Sequence, residues 1–275
     1  MSSHDPVARF RELHESGCFV LPNPWDIGSA KYLQHAGFKA LATTSAGVAF
    51  SRGLPDTVSA IPCDAMLAHN RELVAATPLP VNADFQTGYA DDPAGVAANV
   101  TECVHTGVAG LSIEDATGDS GAPLYQRDLA IERIRAARRA IDATGIPVVL
   151  TARCEAWLVG DEQPANTAID RLVAFAEEGA DCLYAPGVRD PDTIAAIVKA
   201  VAPLPVNVLM SSPDPQLSVS RLEDLGVRRI SIGSAFARVA WGAFMKSAES
   251  ILRTGEFDGL AGAAPFAALN AMFDG

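Results

Sequence analysis

The residues of this chain equipped for chemistry are three carboxylates, an arginine and a run of small residues. Asp84 and Glu114 each close a short apolar run, Asp56 ends the stretch Gly53-Leu54-Pro55-Asp56, and Arg153 follows another apolar run. Carboxylate oxygens are hard donors of the kind Mg²⁺ takes while it keeps several waters, so Asp56, Asp84 and Glu114 are a candidate set for one divalent cation. Arg153, planar and permanently charged, suits a carboxylate. Thr44-Ser45-Ala46-Gly47 is a small-residue turn whose backbone N–H groups suit a carboxylate or phosphoryl oxygen. The competing reading is structural: helix caps, or a buried network pairing Asp84 and Glu114 with Arg153, or Arg153 with Glu155. Asp115 reads as a loop or capping residue.

Other reactive types carry less. None of the 5 histidines falls at the end of an apolar run, which argues against histidine-ligated zinc and a histidine base. The 5 cysteines are scattered without a CxxC spacing, so neither a disulfide framework nor a structural zinc site is indicated. Cys154 follows Arg153, and strand alternation points it the opposite way, into packing.

Short apolar runs alternate with amphipathic stretches along the whole chain, the pattern of βα units with a parallel sheet. The expected strands are Cys18 to Leu21, Ala40 to Thr44, Pro80 to Asp84, Gly110 to Glu114, Pro147 to Ala152, Cys182 to Ala185, Pro205 to Leu209 and Arg229 to Gly233. Helices are predicted at Asp92 to Thr106, Asp128 to Thr144, Asn166 to Glu178 and Pro191 to Val201, several opening on Asp or Asn and closing near Gly. Eight such units fit one α/β domain over residues 1–275, a (β/α)8 TIM barrel. A doubly wound sheet is the second choice, weakened because no GxGxxG follows the first strand. A long helix is expected at Ala235 to Leu252, and an apolar helix at Gly259 to Phe273 makes residues 256–275 a C-terminal extension that needs a partner surface. A barrel presents its chemistry at the C-terminal strand ends, where Asp84, Glu114, Arg153 and Asn207 all fall.

The composition narrows the partners. With 21 Lys and Arg against 33 Asp and Glu, the net charge of -12 repels nucleic acid and anionic lipid. No apolar run reaches the roughly 18 residues that span a bilayer, and the N-terminus Met1 to Asp5 carries no targeting pattern, so a cytoplasmic protein is expected.

Taken in order, Leu21 to Ala30, Thr44 to Val48 with Gly53 to Asp56, Val81-Asn82-Ala83-Asp84 with Gly88-Tyr89, Gly110 to Asp115, Thr151-Ala152-Arg153 and Pro205-Val206-Asn207 resemble the isocitrate lyase/phosphoenolpyruvate mutase superfamily over nearly the whole chain. The resemblance implies a (β/α)8 barrel that binds Mg²⁺, or Mn²⁺, and makes or breaks C–C or P–C bonds beside the carbonyl of a 2-oxo acid. By position, Asp56, Asp84, Glu114 and Asn82 would hold the metal or its waters. Thr44, Ser45, Ala46, Gly47 and Asp84 would meet the substrate, Arg153 would neutralise the enolate-like oxygen, and Asn207 would line the distal pocket. The last barrel helix would be exchanged between subunits of a homotetramer, a dimer of dimers.

Three positions depart from that pattern. Asn82 stands where the family has the first aspartate of Asp-x-Asp; Ala116 to Leu124 replaces the lyases' Lys-Lys-Cys-Gly-His lid; and Pro186-Gly187 replaces a glutamate near the sixth strand. Gly118 and Gly121 are possible hinges of a lid, with Asp119, Ser120 or Tyr125 as proton source. The leading expectation is a Mg²⁺-dependent C–C lyase acting on a small 2-oxo or 2-hydroxy di- or tricarboxylate. The alternatives are a P–C enzyme of the phosphoenolpyruvate mutase or phosphonopyruvate hydrolase type, and a 2-oxo acid binding protein without turnover.

Overall fold

A computed structural model describes residues 5–58 and 60–274; the first four residues, position 59 and the last residue, and with them both ends of the expected domain, lie outside the described residues. Eight strands, β1 (Phe19–Leu21), β2 (Leu41–Ala42), β3 (Val81–Asp84), β4 (Gly110–Glu114), β5 (Val149–Arg153), β6 (Cys182–Tyr184), β7 (Val206–Leu209) and β8 (Arg229–Ser231), form one parallel sheet in the order β1-β8-β7-β6-β5-β4-β3-β2. Each strand follows its predecessor around the sheet, so β1 and β2 meet at the seam. There the Ala42 N–H donates to the Pro22 carbonyl at 3.0 Å. The Asn23 side chain also ties three strand ends together, donating to the Thr43 carbonyl at 2.9 Å and accepting from the Ile232 and Gly233 N–H groups. The expected (β/α)8 barrel is the observed architecture.

The surrounding helices are α1 (Pro6–Glu15), α2 (Ile27–His35), α3 (Ser45–Ser51), α4 (Cys63–Ala76), α5 (Pro93–Val104), α6 (Arg127–Thr144), α7 (Pro164–Glu177), α8 (Pro191–Val201), α9 (Val219–Asp224), α10 (Ala235–Thr254) and α11 (Phe266–Phe273). Aspartates cap several: Asp26, Asp92 and Asp190 accept backbone N–H groups at the starts of α2, α5 and α8. The predicted strands at Pro80, Pro147 and Pro205 begin one or two residues later, because proline has no N–H for the ladder. The expected C-terminal helix is split: a 3₁₀ turn at Asp258–Leu260 precedes α11, which begins just after Pro265. Of the 20 residues of α10, Ala237 alone is buried, and Val239, Phe244, Met245 and Leu252 face outward. Among the described residues no helix is long and apolar enough to cross a membrane.

The core is the apolar layer between strands and helices, with Leu111, Ile113, Leu150, Ala152, Leu183 and Val208 buried. Strand alternation assigns the other face to the interior, and there the chain is polar: Asn82, Asp84, Ser112, Thr151, Arg153, Asn207, Arg229 and Ser231. Below them α1 sends in Phe10, which would lie 2.7 Å from a Cβ added to Gly110. Gly110 therefore needs no side chain because Phe10 and the Asn82 amide oxygen fill that space.

Candidate active site

A cavity of about 290 Å³ opens among the C-terminal strand ends. Of the residues singled out from sequence, Thr44, Ser45, Ala46, Asp56, Asn82, Asp84, Arg153 and Asn207 line it. Glu114 and Gly47 do not. Glu114 meets Arg153 outside the cavity lining, and Gly47 packs in a space where a Cβ would lie 2.6 Å from the Thr44 Cγ2 and 2.9 Å from the Trp25 Cβ. The small-residue run is the first turn of α3, capped by Thr44, whose Oγ1 accepts from the Gly47 N–H at 3.2 Å.

Arg153 organises the site. Its Nη1 donates to Asp84 Oδ1 at 2.7 Å, its Nη2 lies 3.1 Å from Glu114 Oε2, and its Nε donates to Glu155 Oε1 at 2.9 Å. Three strand ends thus converge on one guanidinium, and β4 and β5 hold Glu114 and Arg153 directly opposite each other in register. The structural and the functional reading of these residues coincide: the ion pairs exist, and they fix Arg153 and Asp84 at the cavity wall. Asp84 Oδ2 also accepts from the Ser45 N–H at 2.9 Å and the Ser45 Oγ at 3.0 Å. A carboxylate has about four lone-pair sites, so with three filled Asp84 keeps one for a further partner.

One cation among so many carboxylates sets their titration. Burial pushes the Glu114 carboxyl up to about 8 against the pull of Arg153, with Glu155 and Asp84 adding to the rise. Glu155 is raised by burial as well, and Asp56, on the exposed loop between α3 and α4, is raised by desolvation and by the charge of Asp84. The site is electronegative for its size and suited to a cation.

Whether these residues fit a divalent ion turns on the donors. They are all oxygens, the type Mg²⁺ takes, and the buried Asn82 Oδ1, two residues below Asp84 on the same face of β3, has no hydrogen-bond partner. Among the described residues no three His, Cys, Asp or Glu side chains converge into a ready-made metal cluster, since Arg153 draws Asp84 and Glu114 to itself. Mg²⁺ is commonly held by one or two carboxylates with waters and substrate supplying the rest; Asp84 and Asp56 line the same cavity and are donors of that type, whereas the Asn82 oxygen fills the space over Gly110 beside Phe10.

The Arg153–Glu155 pair offered by the sequence is present, whereas other partners escaped the sequence reading. Glu155 is buried, and its N–H donates to Asp115 Oδ1. Asp115, expected as a loop residue, is buried against Arg171 at 3.0 Å and anchors the start of the β5 loop. Tyr184, Ser231 and Arg229 line the β6–β8 side of the cavity and were identifiable only as inward positions of alternating strands. One expectation for the segment after β4 is corrected. Residues 116–124 fold back on themselves through an Ala116–Leu124 antiparallel bridge and a Thr117 N–H to Pro123 carbonyl bond of 3.0 Å. Tyr125 is no proton source for the cavity: its hydroxyl donates to Asp91 Oδ1 at 2.6 Å under the Arg133 guanidinium. Cys154 is buried, its thiol pushed up by burial and Asp115, as a packing residue should be.

The family model described as phosphoenolpyruvate phosphomutase matches residues 10–252. A crystal structure of a candidate lyase/mutase from Burkholderia cenocepacia superposes with a TM-score of 0.94 at 48% identity, covering 98% of this chain and 96% of that one. An uncharacterised protein of Mycobacterium tuberculosis is 35% identical over 82% of this chain and 81% of its own length. Oxaloacetate decarboxylase of Chromohalobacter salexigens is 31% identical over 85% of this chain and 81% of its own. The chain therefore belongs to the phosphoenolpyruvate phosphomutase family, within the isocitrate lyase/phosphoenolpyruvate mutase superfamily that its strand ends resemble.

Proposed function

We propose that this chain is a C–C lyase that cleaves a small 2-oxo or 2-hydroxy di- or tricarboxylate beside a carboxylate or carbonyl group, through an enolate. The observation that carries the reading is Arg153, pinned at the cavity wall by three carboxylates. A guanidinium has five N–H groups; Arg153 donates one to Asp84 and one to Glu155 and stands in an ion pair with Glu114, which leaves N–H groups on its Nη atoms for substrate. A fixed cation beside a reacting carbonyl stabilises the oxyanion that forms as the neighbouring bond breaks, commonly a factor of about 10²–10³ per donor. Asp84, Asp56, Asn82 and, through water, Glu114 would hold Mg²⁺ or Mn²⁺, which would supply the Lewis-acid pull on the same oxygen. Ser45 fixes the Asp84 carboxylate by two hydrogen bonds, so Asp84 and Arg153 keep one geometry through the reaction. The kinship with an oxaloacetate decarboxylase supports a 2-oxo dicarboxylate as the substrate type.

The test is turnover of such acids with Mg²⁺, followed by NMR. Cleavage that falls about 10²-fold or more in Arg153→Lys supports the reading, and full turnover in that variant refutes it. The phosphoenolpyruvate phosphomutase description of the family model favours P–C chemistry as a second reading; phosphorus NMR with phosphonopyruvate separates the two. We also propose a cytoplasmic homotetramer in which α10 is exchanged between subunits, supported by its outward Val239, Phe244, Met245 and Leu252.

A further inference from the structure

The barrel interior holds a second arginine, in surroundings opposite to those of Arg153. Arg229 points inward from the first position of β8, is 2% exposed and lines the cavity. Among the described residues no carboxylate lies within 4.0 Å of it. Its Nε donates to Asn207 Oδ1 at 2.9 Å and its Nη2 to Thr151 Oγ1 at 3.0 Å, and its Nη1 lies 3.3 Å from His14 Nε2. The last partner is neutral. His14 Nδ1 is 2.7 Å from the Phe10 carbonyl, which only an N–H can satisfy, so Nε2 is the acceptor that faces Arg229. Burial and the Arg229 charge keep that ring unprotonated.

A buried guanidinium among neutral acceptors, with two of its five N–H groups unspent, is costly unless an anion arrives. Its other effect is on Asn207. Because a guanidinium only donates, the Asn207 oxygen must face Arg229, which turns Nδ2 toward Ser231 Oγ at 2.9 Å and leaves one amide N–H unmatched. Tyr184 Oη stands 3.5 Å from the same Ser231 Oγ. The β6–β8 wall therefore offers donors and one uncompensated positive charge, whereas the β2–β5 wall offers Asp56, Asp84 and Arg153.

We propose that Arg229, with Asn207 and Ser231, forms a specificity-determining subsite for a second carboxylate, so that the cavity selects 2-oxo or 2-hydroxy acids with two carboxylates over their monocarboxylate counterparts. The inference rests on the carboxylate reading given above and adds a residue and a selection rule to it. Racemic malate and lactate, which differ by one carboxylate, are the probes, titrated calorimetrically into the full chain with Mg²⁺ present. The wild type is expected to bind malate about tenfold or more tightly than lactate, since a site with unpaired donors discriminates strongly against a ligand lacking the acceptor. Arg229→Met should weaken malate alone and bring the ratio near unity, and Arg229→Lys should restore part of it. Asn207→Asp, which gives Arg229 a built-in carboxylate and leaves the arginine in place, should also abolish the preference, and it decides the matter if Arg229→Met does not fold. A folded Arg229→Met or Asn207→Asp protein that keeps the wild-type ratio overturns the subsite, as does a wild type that binds both acids equally. A wild type that binds neither acid overturns the carboxylate reading together with it.

Discussion

Asp84→Asn puts the central ion pair to a quantitative test. The substitution keeps the shape of the side chain and exchanges one oxygen for NH₂. Asp84 has donors on both sides, Arg153 Nη1 at 2.7 Å from Oδ1 and the Ser45 N–H and Oγ at 2.9 and 3.0 Å from Oδ2. Whichever way the amide turns, its NH₂ meets a donor. Breaking a buried ion pair from one side costs about 3–5 kcal/mol. Here Arg153 retains Glu114 and Glu155, and the Asp84 and Arg153 side chains are 18% and 14% exposed, so a loss below that range, about 2–3 kcal/mol, is expected. At an unfolding entropy of about 2.1 cal/mol/K per residue, that corresponds to a Tm lowered by about 4–5 °C in a chain of this length. Circular-dichroism melts of Asp84→Asn, Arg153→Met and the double variant measure it. Because the two side chains touch, the double variant should lose about 1–2 kcal/mol less than the sum of the singles. A Tm within 1 °C of wild type, or raised, would mean that relief of repulsion from Asp56 outweighs the lost pair.

Other consequences follow from single residues. Gly110→Ala places a Cβ 2.7 Å from the Asn82 Oδ1, 2.7 Å from Phe10 Cε1 and 3.0 Å from the Val149 carbonyl oxygen, so urea denaturation should show a loss of about 1–3 kcal/mol. His14 has a folded-state pKa of about 3, lowered by burial and by Arg229 from the ordinary 6.5. The unfolded chain takes up its proton first as pH falls, so the His14 contribution is complete above pH 6.5 and is lost toward pH 3. Against His14→Gln, the wild type should therefore lose up to about 3 kcal/mol more between pH 6.5 and 4 in chemical denaturation. Phe244→Asp on the outward face of α10 should convert a tetramer to smaller species in light scattering, and an unchanged mass would argue against exchange of that helix.

The barrel was legible because its evidence is periodic: short apolar strands, Asp-capped helices and Gly turns repeat, and the inward positions could be read from alternation. From the residues alone, the site's charged centre was legible where a strand ended on a charge. Asp84, Glu114 and Arg153 met that condition, and the structure joins them. Arg229 begins its strand instead of ending it, so alternation marks it as inward while nothing local marks it as part of the cavity at the strand ends. Asp115 was hidden for another reason: its partner, Arg171, lies on α7, and only packing shows that the carboxylate is buried. The run Thr44 to Gly47 has the composition of a loop, yet Thr44 has the side-chain oxygen of an N-cap and starts α3. Asn82 was read as a metal-holding position from its place in the family pattern, and its unpartnered oxygen is information that sequence does not carry.

The central claim is that Arg153 and its carboxylates support cleavage through an enolate. Its most direct test is proton and carbon NMR in D₂O of the protein with Mg²⁺ and a panel of 2-oxo and 2-hydroxy di- and tricarboxylates. The expected result is one acid split into two products, with a single deuterium on the carbon that carried the broken bond, and loss of that reaction in Arg153→Met. Turnover at the wild-type rate in Arg153→Met, or cleavage that leaves no deuterium on that carbon, would contradict the account.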